Sequence, residues 1–162
     1  MLIKIQNISK SYGTQTVLKN LSLEIEESET TAIVGPSGSG KTTLLNIIGA
    51  MDKPDSGSVL FKDRNIIEMN EDEQSVFRNL NIGFVFQMHY LLPQCSVLEN
   101  VLIPTLAFSN KSVKKDAEKR AKELIDHVGL GEHIHKLPGQ LSGGECQRTA
   151  FIRALINKPS LI

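Results

Sequence analysis

Thr30-Thr31-Ala32-Ile33-Val34-Gly35-Pro36-Ser37-Gly38-Ser39-Gly40-Lys41-Thr42-Thr43 decides how this chain is read. Residues 30–34 are short, β-branched and nearly all apolar, the pattern of a strand buried on both faces of a parallel sheet. Residues 35–42 match G-x-x-x-x-G-K-[ST], a loop that wraps phosphate. Residues 41–50 are helical in character, so the order is strand, glycine-rich loop, helix. Through Gly35, Pro36, Ser37, Gly38, Ser39 and Gly40 the backbone bends through conformations that glycine permits. Its N–H groups then point inward as an anion nest, and the helix start adds its positive dipole end. Lys41 supplies a compact cation to β- and γ-phosphates. The Thr42 hydroxyl is a Mg²⁺ ligand, and Thr43 is placed to meet an α-phosphate oxygen.

Outward from this loop the sequence keeps alternating between strands and helices. Toward the N-terminus, residues 2–6 read as a strand and residues 11–16 as a turn. Leu21, Leu23 and Ile25 alternate with polar residues, as in a half-buried strand. Toward the C-terminus, residues 58–61 and 82–86 read as strands, the second one buried. Asn70 is placed to cap a helix over residues 71–80. Ser96 and Glu99 have the spacing of a capping box. Residues 112–128 place Val113, Ala117, Ala121, Leu124, Ile125 and Val128 on one helical face, with Asp116–Arg120 and Glu118–Lys122 as i,i+4 pairs. Residues 141–157 are a last helix, and residues 160–162 begin another apolar strand.

Composition bounds the function. The chain has 162 residues, with 18 Lys plus Arg against 18 Asp plus Glu, a formal net charge of zero. Bulk positive charge is therefore no basis for nucleic-acid binding. Two cysteines, Cys95 and Cys146, are too few for a disulfide framework or a four-ligand zinc site, and a reducing cytoplasmic setting fits them. No stretch approaches the roughly 20 apolar residues that span a bilayer. The first residues lack the pattern of a signal peptide.

A second motif, Leu141-Ser142-Gly143-Gly144-Glu145-Cys146-Gln147-Arg148, stands before the last helix. As a bare tripeptide, Ser-Gly-Gly is an ordinary helix cap. Here it follows a phosphate loop and the pair Phe86-Gln87 in a fixed order, with 46 positions from Lys41 to Gln87 and 55 from Gln87 to Ser142. In this order the motifs resemble those of the ATP-binding cassette family along the whole chain. The resemblance implies an α/β fold: a phosphate-loop sheet core, an antiparallel β part at the N-terminus, and a helical subdomain. It divides the chain into a nucleotide-binding core over residues 1–95, the helical subdomain over 96–140, and the signature helix with the start of a further strand over 141–162.

The same resemblance implies roles. Tyr12 stacks on adenine and Val17 packs beside the ribose. Gln87 reaches Mg²⁺ or the attacking water, on a loop that also meets a membrane partner. Ser142, Gly143 and Gly144 contact the γ-phosphate held by a second ATP-binding subunit, in a head-to-tail dimer. The cofactors are ATP and Mg²⁺, with Lys41 and Gln87 catalytic. Cys146 replaces the Gln of many relatives and reads as a buried, inert thiol. Gly83 to Pro93, followed by Val97-Leu98-Glu99-Asn100-Val101, is similar to the subgroup that powers lipoprotein release and macrolide-type efflux. That places the chain at the cytoplasmic face of the bacterial inner membrane, touching it only through permease subunits. Two alternatives are a cell-division cassette ATPase and a non-catalytic remnant. His89 and Tyr90 read as a packing or partner-contact pair, and His127, His133 and His135 show no pairing with carboxylates that suggests catalysis. The family's Asp-Glu pair at the end of a later strand is expected to lie past Ile162, with a γ-phosphate-sensing His beyond it, so the chain reads as truncated, with negligible turnover alone.

Overall fold

Alternating apolar residues near the N-terminus build a hairpin. In the computed structural model, which describes residues 1–107 and 111–162 and of residues 111–113 the backbone, β1 (Ile3–Tyr12) pairs antiparallel with β2 (Gln15–Ile25). Tyr12 faces Gln15, so Gly13-Thr14 is the two-residue turn. After α1 (Lys41–Ile48), β3 (Ser56–Phe61) pairs antiparallel with the other edge of β1, and β4 (Arg64–Asn65) follows. The sheet order is β2-β1-β3-β4. Ile3, Ile5, Ile8 and Val59 are almost fully buried, each worth about 2 kcal/mol of hydrophobic stabilisation. Leu44, Ile47 and Ile48 form the buried face of α1.

The chain divides into two compact units, Met1–Val76 and Phe77–Ile162. α2 (Glu71–Asn81) begins in the first. Asn70 caps it as its sequence predicts: Oδ1 accepts from the Glu73 N–H at 2.9 Å, and the Asn70 N–H donates back to Glu73 Oε2 at 3.0 Å. In the second unit α3 (Val97–Leu102), α4 (Lys111–His127) and α5 (Gly143–Leu155) share a core of Val97, Val101, Ala121, Ile125, Leu130, Ile152 and Ile156. The α4 face predicted from spacing is present at Ala117, Ala121, Leu124, Ile125 and Val128; the Val113 side chain lies outside the described residues. Lys122 pairs with Glu118 at 2.7 Å. Arg120 instead donates to the carbonyls of Ile156 and Leu155 at 3.0 and 3.1 Å, closing the C-terminal end of α5.

Two predicted strands are corrected. Residues 30–34 form no strand, and Val34 is 87% exposed. Residues 82–86 contribute one parallel bridge, Ile82 to Leu161, while Val85 and Phe86 are exposed. The reason is pairing. A short apolar run becomes a buried parallel strand only with a laddered neighbour on each side. Among the described residues these runs have none beyond that bridge. The bridge itself bears out an extended start at residues 160–162: the Gly83 N–H donates to the Leu161 carbonyl at 2.8 Å. Gly83 permits that approach, since a Cβ there would lie 2.6 Å from the Ala154 carbonyl oxygen.

Candidate nucleotide-binding site

The phosphate loop lies in the first unit, between β2 and α1. Gly38 and Gly40 have φ of 79° and 87°, left-handed conformations that other residues resist. A Cβ on Gly40 would lie 2.9 Å from Leu18 Cδ2 and 3.0 Å from Val17 Cγ1. The loop is thus pressed onto β2, and half-buried Val17 stands against it. Lys41 Nζ donates to the carbonyls of Gly35 and Pro36 at 2.9 and 2.7 Å. The loop's own acceptors therefore hold the ammonium over it. Pro36, Ser37, Ser39 and Thr42 are exposed, and Thr43 is half-buried. Gly40 caps α1 without a side chain, leaving the first-turn N–H groups available to an anion.

Tyr12 is 51% exposed at the end of β1. Its hydroxyl donates to Asp52 Oδ2 at 2.5 Å. The bond to Asp52 raises the phenol pKa above its ordinary value, with some help from burial. Burial alone would raise the Asp52 carboxyl; hydrogen bonds from Lys10, Tyr12 and the Lys53 N–H override it and hold the group below its ordinary value. The structure brings Tyr12, Val17, Thr43 and the phosphate loop together in one unit. Sequence reading missed Lys10 and Asp52, because 42 positions separate them and no short-range pattern links them.

The remaining predicted residues lie in the second unit. Gln87 is exposed on a bend, with Phe84 and Phe86 stacked before it at 5.9 Å between centroids. Arg153 of α5 donates to the carbonyls of Tyr90 and His89 at 2.8 and 2.7 Å. Buried Asn100 accepts from the Leu92 N–H at 2.8 Å and donates to the carbonyls of Leu92, Cys95 and Ser96. The loop after Gln87 is therefore held at both ends, by Arg153 and Asn100, to which the sequence alone assigns no role.

Ser142 caps α5: its Oγ accepts from the Glu145 N–H, and the Glu145 carboxylate takes both the Ser142 N–H and hydroxyl at 2.6 and 2.8 Å. Those two bonds hold the Glu145 carboxyl below its ordinary value. Gly143 and Gly144 are exposed, and nothing crowds Gly143. His133 Nδ1 lies 2.9 Å from Glu145 Oε1, so it faces the carboxylate of the cap, off the line of a hydrogen bond. The chain folds residues 131–133 as a short 3-10 turn that brings it there. Cys146 is buried with its Sγ 3.6 Å from the Pro138 carbonyl oxygen, and burial raises its pKa, the inert thiol expected.

No helix among the described residues is long and apolar enough to cross a membrane. The family model described as ABC transporter matches residues 18–162. The chain is 50% identical over 161 residues to the lipoprotein-releasing system ATP-binding protein LolD of Bacteroides fragilis, covering 99% of this chain and 74% of that protein. It is 48% identical over 165 residues to LolD 1 of Rhodopirellula baltica, covering 99% of this chain and 71% of the relative. A solved dimeric structure of the ATP-binding cassette MJ0796, in a post-hydrolysis state bound to ADP and Pi, superposes with a TM-score of 0.87 at 40% identity, covering 98% of this chain and 71% of that one. With the motifs in order, the cradle built and the family matched over most of its length, this chain belongs to the ABC transporter ATP-binding family.

Proposed function

We propose that this chain is the ATP-binding subunit of a lipoprotein-releasing transporter, working at the cytoplasmic face of the bacterial inner membrane beneath a permease. The observation that carries this reading is the phosphate cradle: left-handed Gly38 and Gly40, Lys41 held across the loop, and Tyr12 and Val17 beside it. The relatives' names support lipoprotein as the cargo over the cell-division alternative. The dimeric neighbours support a pair of such subunits, which we read as head-to-tail.

Tyr12 stacks on the adenine and Val17 packs beside the ribose. The loop N–H groups and the start of α1 bind the phosphates, and Lys41 exchanges its loop carbonyls for β- and γ-phosphate oxygens. Thr43 meets the α-phosphate. Exposed Thr42 offers the hard hydroxyl oxygen that suits Mg²⁺. Mg²⁺ held there would supply positive charge to the phosphate oxygens. Gln87 serves Mg²⁺ or the attacking water through its amide oxygen. Ser142, Gly143 and Gly144, exposed at the start of α5, serve the γ-phosphate of the second subunit. The core over residues 1–95, the helical subdomain over 96–140 and the signature helix over 141–162 divide these tasks.

The test is binding of a fluorescent ATP analogue by wild type and Lys41→Ala, together with isolation of tagged chain from detergent-solubilised membranes of a lipoprotein-exporting bacterium. Loss of the Lys41 charge should weaken binding at least about tenfold, and permease subunits should accompany the wild-type chain. Equal affinity in the variant would sink the cradle. A division protein in place of the permease would overturn the cargo.

A further inference from the structure

We propose that Asp52, assisted by Lys10, is a positioning residue for purine recognition, and that it ties the base-stacking ring to the helix that starts on the phosphates. This rests on the reading of Tyr12 as the base-stacking residue.

Tyr12 sits beside a two-residue turn at the exposed end of a strand, where an untethered ring swings through its rotamers. The structure restrains it in two directions. The hydroxyl donates to Asp52 Oδ2 at 2.5 Å, a short charge-assisted bond that fixes the outer end of the ring. Lys10 Nζ stands over the ring, 5.1 Å from its centroid, which limits tilt and occupies one face. Tyr12 is 51% exposed, and the base would stack on the face away from Lys10.

Asp52 is itself held. Its Oδ1 accepts from Lys10 Nζ at 2.8 Å and from the Lys53 N–H at 2.7 Å. Lys10 Nζ also donates to the Lys53 carbonyl at 2.6 Å. The Asp52 N–H donates to the carbonyl of Asn46, within α1, at 3.2 Å. α1 begins at Lys41, directly after the phosphate loop. One helix thus carries the phosphate site at its start and the anchor of the stacking ring past its end. A ring already in place spends less freedom when the base arrives. The spacing between base and phosphate sites is set by α1 and not by a mobile side chain.

The experiment is calorimetric titration of the full chain with MgATP and, separately, with magnesium tripolyphosphate, which has the phosphates and no base. Asp52→Ala should weaken ATP binding about three- to tenfold and leave tripolyphosphate within about twofold of wild type. Asp52→Asn keeps the shape and an acceptor, and should fall between. Tyr12→Leu should weaken ATP about ten- to a hundredfold, and the double variant should be no weaker than Tyr12→Leu alone. A readout free of ligand follows the phenol by ultraviolet absorbance, since the chain has two tyrosines and no tryptophan. Asp52→Asn should let one phenol ionise at lower pH than in wild type. If Asp52→Ala weakens tripolyphosphate as much as ATP, Asp52 supports the fold or the loop and the proposal is wrong. Tyr12→Leu with undiminished ATP affinity would instead remove the Tyr12 reading. Loss in Tyr12→Leu with none in the Asp52 variants would remove the positioning role alone.

Discussion

Asn100 is fully buried and spends its whole side chain on backbone groups of residues 92–96. A buried amide costs little while satisfied and a great deal when its partners are stranded. Asn100→Ala leaves the Leu92 N–H and the Cys95 carbonyl to find substitutes, beside a cavity, while the Leu92 and Ser96 carbonyls keep the N–H groups of Cys95 and residue 100. We expect a loss of about 3 kcal/mol in stability, read as a lower urea midpoint with an unchanged slope. An undiminished midpoint would mean that other groups already satisfy this loop. Asn100 stands in the stretch that carries the subgroup resemblance, but nothing there marks it as buried, because an Asn in an apolar segment reads equally well as exposed. The same holds for Asp52, Arg153 and His133, whose partners lie far away in the chain. The features legible from sequence are those whose geometry is local, namely the left-handed glycines of the phosphate loop and the caps at Asn70, Ser96 and Ser142.

Helices were more legible than strands, for a physical reason. A helix closes its hydrogen bonds within itself, and its ends are marked by side chains that reach three residues along. Asn70 with Glu73 and Ser96 with Glu99 have that geometry. A parallel strand depends on neighbours remote in sequence, so residues 30–34 carry the composition of a strand without forming one. The α5 cap adds a test by pH. The Ser142 N–H and hydroxyl hold the Glu145 carboxyl below its ordinary value. A carboxyl whose folded pKa is depressed contributes stability that is present above its unfolded pKa and lost as pH falls through the folded one. Glu145→Gln should therefore lower the urea midpoint at pH 7, and the gap to wild type should close as pH falls below about 4. A gap that persists at pH 3 would show that the carboxylate's charge is not what the cap uses.

At the scale of the whole molecule the charge balance matters most. Basic and acidic side chains number 18 each, and the isoelectric point is near 6.9. Self-repulsion between copies is therefore weakest close to neutral pH. The surface also displays Val34, Val85, Phe86, Met88 and Ile162, with Val34 at 87% exposure and Met88 at 63%. Contacts between apolar groups do not weaken when charge vanishes, so near the isoelectric point they act unopposed. The chain alone should be most prone to association near pH 7, and net negative charge should separate the copies by pH 9. Light scattering at fixed concentration measures this: the apparent mass should peak near neutrality and fall on the alkaline side. Added salt at pH 9 should restore part of the association by screening that repulsion. Should the mass stay flat from pH 6 to pH 9, the exposed apolar groups would not be the contacts, and the idea that charge alone keeps copies apart would fall with them.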